Sequence, residues 1–457
     1  MVSPDIGRQR LEPLVHAMGG LLGQPLEDDA ALSPEQRISS GAEKAESDDL
    51  LELTARFLSS QSGGQTEHDI QSFLSANGHD LTMPMTRAVV QRAQLERCSA
   101  ILGAKPLAYR SHSDVSVVRH LLASQEQPIL DVEQWQERRR HIIHNMQVVM
   151  GWFPSTGAKA RELHAPVPFD ILSQNVPTTP DCVCKVVMQK IRFCPEEQDQ
   201  VEGWLLIPQV SSPCPAVLCP HQTTMNPQTG KDEPAGLGGS RELCYALELA
   251  QLGYVTLTID YPGFGGYSFP VYQRGYASVT MKGIWNHLRA VDLLVGLPQV
   301  DSERIGALGH SLGGHNSLFL AVFDPRIKVI GTSCGFTSFA RYAETVPQKD
   351  LSVWAWPEKY MPRISTHFHK DPACMPFEFH EVLAACAPRH IFCNAPLGDE
   401  NFDVQGVRAC VQAAGSIYKL LGSPPDSIEL HTPNVGHDFP KEVRRLCYAF
   451  FGKQLKI

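Results

Sequence analysis

The hexapeptide GHSLGG, residues 309–314, lies between a predicted strand (RIGALGHS) and a predicted helix (SLFLAVFD). A serine hydroxyl is a poor nucleophile unless a base removes its proton. The pattern Gly-x-Ser-x-Gly on a sharp strand-to-helix turn exposes a serine to such a base, because small flanking residues avoid clashes. Gly309 and Gly313 supply the small residues around Ser311, and Gly314 allows close packing. We therefore predict that Ser311 is a nucleophile.

The base must come from another part of the chain, and His437 is the best placed of the 18 histidines. It lies in PNVGHDFP, after the last predicted strand (SIELHTP) and before the last predicted helix (KEVRRLCYAFF). A loop at that point belongs to the carboxyl edge of a parallel sheet, where the strand before Ser311 also ends. We predict that His437 is the general base.

The acid that orients this histidine should follow the penultimate predicted strand, RHIFCNAP. Two aspartates in GDENFD qualify, Asp399 and Asp403. Asp399 is closer to the strand end, in the turn after Gly398, whereas Asp403 suits the N-cap of a helix that begins near Val404. We favour Asp399, which would hold the imidazole tautomer and stabilise the imidazolium without taking the proton.

An oxyanion that develops during acyl transfer needs two N–H donors. One should be the backbone N–H of Leu312, directly after the nucleophile. The other should come from the loop that follows the predicted strand PAVLCPH, where we expect the Gln222 N–H, with Thr223 as the fallback.

The elements that must position these residues alternate between strand-like and helix-like segments from Asp181 to the C-terminus, which is typical of an α/β sheet. CVCKVVMQKIRF and VEGWLLIP read as an antiparallel pair, and Asp131 as the N-cap of a helix before them. We therefore predict a catalytic domain over residues 131–457. Residues 48–130 are predicted to form a small helical module, and residues 1–47 a poorly ordered segment.

Residues 335–388 form a long insertion rich in aromatic residues, proline and histidine, between the strand after the elbow helix and the strand bearing the acid. Insertions at such a point commonly form a lid over the pocket. Trp354, Trp356 and Tyr360 could line an acyl or sugar pocket, or could form a small core of the lid itself, and both interpretations stay open. Asp260, in DYPGFGG, is predicted to have a structural role in a turn.

Composition excludes several functional classes. The net charge of −9 and the pI of about 6.1 leave no basic footprint for nucleic acid. No apolar run is long enough for a transmembrane helix, and the N-terminus lacks a secretory pattern. The 13 cysteines are scattered, many within apolar runs, which is typical of reduced thiols and predicts a cytoplasmic location. No cysteine pairs recur at zinc-ligand spacing, so we predict no metal site.

From about Asp131 onwards, over more than two thirds of the chain, the sequence resembles bacterial α/β hydrolases of the acetyl xylan esterase and dienelactone-hydrolase-like groups. The matching stretches are VEQWQERRRHI, TIDYPGFGG, RIGALGHSLGGHNSLFLAVFDPRIKVIGTSCGF, APLGDENFD and GHDFP. The resemblance implies an α/β-hydrolase fold and a catalytic triad of Ser311, Asp399 and His437. It also implies ester hydrolysis that requires no metal or organic cofactor.

We therefore predict a carboxylic ester hydrolase that cleaves small-molecule esters through an acyl-serine, with deacetylation of small or carbohydrate esters as the specific candidate. The alternative is a serine peptidase that resembles the prolyl oligopeptidases. That group usually carries a β-propeller before the hydrolase domain, whereas the N-terminal part here is short and helical. A catalytically inactive binding protein is the third hypothesis, and the complete set of serine, acid and histidine argues against it. The N-terminal helices are compatible with homo-oligomerisation.

Overall fold

The computed structural model describes residues 131–153, 167–176, 184–210, 213–224 and 228–456, with a few isolated positions outside these ranges. The chain divides into two compact units, Met1–Ser111 and His112–Ile457, and the second carries the elements given below. The predicted segment 1–47 lies outside the described residues, as does nearly all of the predicted helical module over 48–130. Within the latter range a short antiparallel pair joins Ala123–Ser124 to Gln127–Pro128.

A nine-stranded sheet forms the centre of the second unit. Its strands in chain order are β1 (Phe169–Asn175), β2 (Val186–Phe193), β3 (Val201–Pro208), β4 (Cys214–Leu218), β5 (Val255–Ile259), β6 (Val300–His310), β7 (Ile327–Ser333), β8 (His390–Asn394) and β9 (Ile428–His431). Their spatial order is β1-β2-β3-β5-β4-β6-β7-β8-β9. In this spatial order, each adjacent pair from β5 to β9 is parallel. The pairs β1–β2, β2–β3 and β3–β5 are antiparallel. The predicted antiparallel pair is β2 with β3, and the predicted mostly parallel sheet is confirmed.

Nine α-helices lie between residues 131 and 456 in the described ranges. They are α1 (Val132–Met150), α2 (Tyr245–Gln251), α3 (Val279–Val295), α4 (Leu312–Phe323), α5 (Phe339–Thr345), α6 (Arg363–Thr366), α7 (Phe379–Ala385), α8 (Val404–Leu420) and α9 (Lys441–Leu455). Asp131 caps α1 as predicted, since its side chain accepts a hydrogen bond from the Gln134 backbone N–H at 2.8 Å. None of the described helices combines the length and the apolar character needed to cross a membrane.

Two of the central strands are buried along their whole length, which is expected of parallel strands covered by helices. All residues of β4 and of β5 are buried. One core cluster joins Leu249 of α2 and Phe451 of α9 to Val217 of β4, Leu308 of β6 and Phe392 of β8. The strands are therefore packed tightly against helices α2 and α9.

The chain order changes direction beside β4, because β5 lies on one side of it and β6 on the other. In α/β sheets, ligands bind outside the carboxyl ends of the strands at such a switch point. Leu218, the last residue of β4, pairs with Ala307 near the end of β6. The loop after β4 and the turn after β6 therefore emerge side by side, and these are the segments that carry Gln222 and Ser311.

The segment 335–388 lies between β7 and β8, contains α5, α6 and α7, and has an aromatic core. The Trp354 ring lies 5.6 Å from the rings of Phe339 and Phe379, measured between centroids. Phe339 in turn packs against Phe377 at 5.6 Å. Because Phe339, Phe377 and Phe379 are each fully buried, these rings hold the insertion together as a packed unit.

Candidate active site

Ser311 occupies a sharp turn between β6 and α4, and its backbone is in a conformation that few residues other than glycine adopt. Its φ is +52° and its ψ is −117°. The Ser311 N–H donates a hydrogen bond to the Ser333 carbonyl oxygen at 2.8 Å, which holds the turn against the end of β7. Backbone strain of this kind costs about 1–3 kcal/mol and persists only where the surrounding structure enforces it.

The neighbouring glycines make this turn sterically feasible, as predicted. A Cβ atom added to Gly309 would lie 2.2 Å from the Gly313 carbonyl oxygen, and one added to Gly313 would lie 2.0 Å from the Pro220 carbonyl oxygen. A Cβ atom on Gly314 would approach the Gly335 Cα to 2.8 Å. Real Cβ atoms do not come so close, so α4 packs directly on the loops after β4 and β7 only because side chains are absent here.

The structure brings His437 and Asp399 together. His437 Nδ1 lies 2.9 Å from one carboxylate oxygen of Asp399 and 3.0 Å from the other. The Asp399 side chain is fully buried, whereas 21% of the His437 side chain is exposed. Asp399 also accepts backbone hydrogen bonds from Asn401 at 2.9 Å and Phe402 at 3.1 Å, which fix the position of its carboxylate.

Asp403, the other aspartate that qualified from the sequence, lies elsewhere in the same loop and contacts different groups. Its carboxylate accepts the Gln405 backbone N–H at 2.9 Å and therefore caps α8. The same group pairs with the Arg341 side chain at 3.0 Å. Its position is that of a helix cap, as the spacing indicated.

His437 also lies beside the serine turn, because its ring centroid is 4.9 Å from that of His310, the residue before Ser311. His310 is buried, and its Nδ1 lies 2.9 Å from the Ser333 Oγ. Burial, together with the nearby His437, holds the pKa of His310 well below its usual range, so this ring is neutral. His310 therefore packs beneath the site.

A polar network that the sequence did not reveal ties three strand ends to the histidine loop. The Asn394 side chain, at the end of β8, donates hydrogen bonds to Ser333 Oγ at 2.8 Å and to the Asp438 carbonyl oxygen at 2.9 Å. Asp438 directly follows His437, so this network fixes the backbone beside the candidate base. The only sequence signal was that Ser333 and Asn394 each lie at the end of a predicted strand.

The two segments predicted to form an oxyanion hole are adjacent. The close approach of Gly313 to Pro220 sets the first turn of α4, with Leu312, against the loop that contains Gln222. His221, which sequence reasoning did not single out, holds this loop. Its Nε2 accepts the Tyr261 backbone N–H at 2.9 Å, so its proton is on Nδ1, which lies 2.6 Å from the Gln222 carbonyl oxygen. Burial lowers the pKa of His221 to about 4, so the ring stays neutral.

The aromatic residues predicted for the pocket differ in position. Trp354 is buried and contacts Tyr360 at 5.4 Å and His315, one helical turn after Ser311, at 4.9 Å between ring centroids. Trp354 also contacts Phe402 at 6.1 Å, and Phe402 lies 6.0 Å from His437. Trp354 and Tyr360 are thus part of the packed layer beside the site.

Trp356, in contrast, is 47% exposed. The ammonium nitrogen of Lys359 lies 4.4 Å from the centre of its indole ring, and the Lys359 carbonyl oxygen accepts a hydrogen bond from the Tyr261 hydroxyl at 2.9 Å. Tyr261 follows β5 and Asp260. The exposed indole is therefore anchored to a loop at the carboxyl edge of the sheet.

Asp260 has the structural role predicted for it. It is buried and forms an ion pair with the Lys231 ammonium at 2.6 Å, and it accepts the Lys231 backbone N–H at 3.0 Å. Burial raises the pKa of Asp260 to about 6, although the Lys231 charge opposes this shift. The pair links the turn after β5 to the loop after β4.

The chain is similar in sequence to several known hydrolases and esterases. A family described as glucuronyl esterase of fungi matches residues 263–422, a range that includes Ser311 and Asp399. The hydrolase YtaP of Bacillus subtilis (strain 168) is 25% identical over 255 residues, which are 54% of this chain and 81% of YtaP. The carbohydrate esterase MZ0003, from an unknown prokaryotic organism, is 24% identical over 192 residues, 39% of this chain. The chain spans less than half the length of MZ0003, since the match covers 43% of it.

A solved structure extends the likeness in fold over a larger part of the chain. The glucuronoyl esterase from Solibacter usitatus superimposes with a TM-score of 0.56 at 18% sequence identity, over 73% of this chain and 97% of its own. This likeness concerns the fold. The peptidase and the inactive binding protein are not favoured by these comparisons. The predicted resemblance is confirmed: the chain has the α/β-hydrolase fold, and the proteins that it resembles include esterases of carbohydrates.

Proposed function

We propose that this protein cleaves carboxylic esters of carbohydrates with Ser311 as nucleophile, His437 as general base and Asp399 as the acid that orients it. The observation that carries the proposal is the contact of His437 Nδ1 with both oxygens of the buried Asp399, beside a serine held in a strained turn. A carboxylate at Nδ1 places the imidazole proton there and leaves the Nε2 lone pair free to accept the serine proton.

The reaction then follows from these positions. Ser311 Oγ attacks the ester carbonyl carbon while His437 Nε2 takes its proton, and the carbonyl oxygen becomes an oxyanion. Collapse of this intermediate breaks the bond to the alcohol, which leaves with the proton from His437. Water, activated by the same histidine, then attacks the acyl-serine, and the carboxylic acid is released.

The backbone N–H of Leu312 and that of Gln222 are the proposed oxyanion donors, with Thr223 as the alternative to Gln222. Support comes from the Gly313 contact with Pro220, which sets these two segments side by side. The Gln222 carbonyl oxygen accepts a hydrogen bond from the His221 ring. Because C=O and N–H point in opposite directions in a trans peptide, the Thr223 N–H points away from that ring. Loss of one such donor typically reduces the rate by about 100- to 1000-fold.

The substrate class is proposed from the relatives together with the aromatic surface. Trp356 is exposed, and indole rings suit the apolar faces of sugars. Two types of sugar ester are candidate substrates. In acetylated sugars, which the sequence predicts, the sugar supplies the alcohol of the ester. In esters of a uronic acid, the sugar supplies the carboxyl group. The family match that includes Ser311 and Asp399 favours the second type. A cytoplasmic location and homo-oligomerisation through the N-terminal helices remain predictions.

The decisive test is ester hydrolysis by the wild type and by Ser311→Ala. We expect cleavage of p-nitrophenyl acetate, butyrate or a methyl ester of glucuronic acid, with a loss of at least about 1000-fold in the variant. Ser416→Ala, in the last third of α8, is the matched control and should keep full activity. A wild type that is inert on all of these esters, and also fails to react with a fluorophosphonate probe, would contradict the proposal.

A further inference from the structure

We propose that Cys334, together with Asp399 and His437, forms a binding site for a thiophilic divalent cation such as Zn²⁺ or Cd²⁺, and that the bound cation inhibits the enzyme reversibly. In the described part of the chain, these three residues are the only group of at least three cysteine, histidine or acidic side chains whose ligand atoms all lie within 4.8 Å of one another. The inhibitory part of this inference rests on the proposed function.

The fold delivers the three side chains from three different loops. Cys334 directly follows β7, and its backbone N–H donates to the Asn394 carbonyl oxygen at 2.8 Å, at the end of the neighbouring β8. Its φ of +47° is left-handed, which is rare for a residue with a side chain. Because β7 and β8 are parallel, their ends lie together, and the Cys334 thiol lies close to the carboxylate of Asp399.

The donor set suits zinc in both type and charge. Thiolate sulfur, imidazole nitrogen and carboxylate oxygen are the usual protein ligands of Zn²⁺, at about 2.0–2.3 Å from the ion. The thiolate favours Zn²⁺ and Cd²⁺ over Mg²⁺ and Ca²⁺, which prefer oxygen. Binding would release the thiol proton of Cys334 to solvent, so that one thiolate and one carboxylate neutralise the two charges of the cation. The part of His437 that is exposed offers the route of entry.

Inhibition follows from the tautomer of His437. In the free enzyme Nδ1 carries the proton toward Asp399, and Nε2 has the lone pair that would accept the Ser311 proton. A cation bound at Nδ1 displaces that proton, and the neutral ring then carries it on Nε2. His437 can no longer act as a base, although the pocket that binds the ester is unchanged. The cation should therefore lower kcat and leave KM nearly constant.

The first experiment measures ester hydrolysis by the full-length protein against increasing ZnCl₂, with each variant normalised to its own metal-free rate. In Cys334→Ser we expect the zinc concentration for half-inhibition to rise at least about tenfold, because even outer partners of a bound metal are worth that much. Cys214→Ser, a thiol at the start of β4, is the matched control and should behave like the wild type. EDTA should restore activity, and Mg²⁺ should not inhibit.

A second experiment reads binding without catalysis, by titrating Co²⁺ into the protein and recording the thiolate-to-cobalt charge-transfer absorption. The band should be present in the wild type and in Ser311→Ala, and should be lost in Cys334→Ser. Equal zinc inhibition in Cys334→Ser and the wild type, or a cobalt band that does not depend on Cys334, would overturn the inference. A protein inactive on every ester that still shows the Cys334-dependent band would refute the proposed function and leave the cation site standing.

Discussion

Asp399 and Asp403 follow the same strand, and their surroundings give them different roles. The Asp399 side chain is fully buried and faces His437, whereas 26% of the Asp403 side chain is exposed and its partners are Arg341 and the start of α8. A buried carboxylate against an imidazole controls which nitrogen holds the proton. A partly exposed helix cap contributes to stability and has no access to that proton.

Replacing Asp399 by asparagine should therefore reduce kcat by about 10⁴-fold, the effect expected when an amide favours the wrong histidine tautomer. The geometry of the side chain is preserved, so folding should be affected far less than catalysis. The measurement is kcat on the best ester found for the wild type, with circular dichroism to check the fold.

Asp403→Asn is the matched control for that substitution. Asparagine caps helices about as well as aspartate, and the lost pair with Arg341 is partly exposed, so we expect a change below about 1 kcal/mol and nearly unaltered kcat/KM. If Asp403→Asn lost activity while Asp399→Asn retained it, the assignment of the acid would be reversed.

At the scale of elements, the start of α4 depends on the absence of a side chain at Gly313. Gly313→Ala would place Cβ 2.0 Å from the Pro220 carbonyl oxygen, so the helix or the loop after β4 would have to move. Such a shift separates Leu312 from the loop of Gln222, and a displacement of about 1 Å in a catalytic site can cost about 100-fold in rate. We expect at least that loss in kcat/KM, with a lower Tm.

Gly415 in α8 provides the contrasting substitution, because a Cβ added there would meet no heavy atom within 4 Å. Gly415→Ala should leave activity unchanged and stabilise the helix by up to about 1 kcal/mol. Comparison of the two alanine variants by thermal unfolding and by kinetics separates local crowding from the general effect of replacing glycine. Equal activity in the two variants would show that the contact with Pro220 does not matter for catalysis.

Much of this element-level picture could be predicted from the sequence, because strands, helices and their order are written in local patterns. Ser311, Asp399 and His437 each follow a predicted strand, and parallel strands end at one edge. The role of Asp403 as a helix cap could likewise be predicted from the local sequence. His221 and Cys334 were not predictable, since their importance arises only from contacts with Gln222 and Asp399 that packing creates.

At the scale of the whole molecule, the alternation of strands and helices along the chain did not specify the order of the strands in the sheet. The position of β5 beside β3 rather than at the far side of β6 depends on which faces the helices cover. Trp354 illustrates the same limit: its aromatic neighbourhood suited both a pocket and a core, and the structure places it in the packed layer. Buried charges such as Asp260 with Lys231 likewise become visible only in the folded chain.

Glu378 connects two helices of the insertion through a buried charge, and this should make stability depend on pH. Its carboxylate caps α7, and it accepts the Phe339 backbone N–H at the start of α5 with both oxygens, at 2.9 and 2.7 Å. Burial raises the pKa of Glu378 from 4.5 to about 7, against the effect of these N–H donors, and the nearby Glu381 raises it further. Ionising this group thus opposes folding.

Because its pKa is higher in the folded state, the native protein binds more protons than the unfolded chain between pH 4.5 and 7. The contribution of Glu378 is therefore most favourable below pH 4.5 and is lost as the pH rises through 7, with a slope of at most about 1.4 kcal/mol per pH unit. Glu378→Gln removes the titration, so the free energy of unfolding, measured with urea from pH 4.5 to 7.5, should fall less with pH than in the wild type. Glu344→Gln, on the exposed surface of α5, is the control. Parallel pH profiles for Glu378→Gln and the wild type would mean that the carboxylate ionises in the folded protein without penalty.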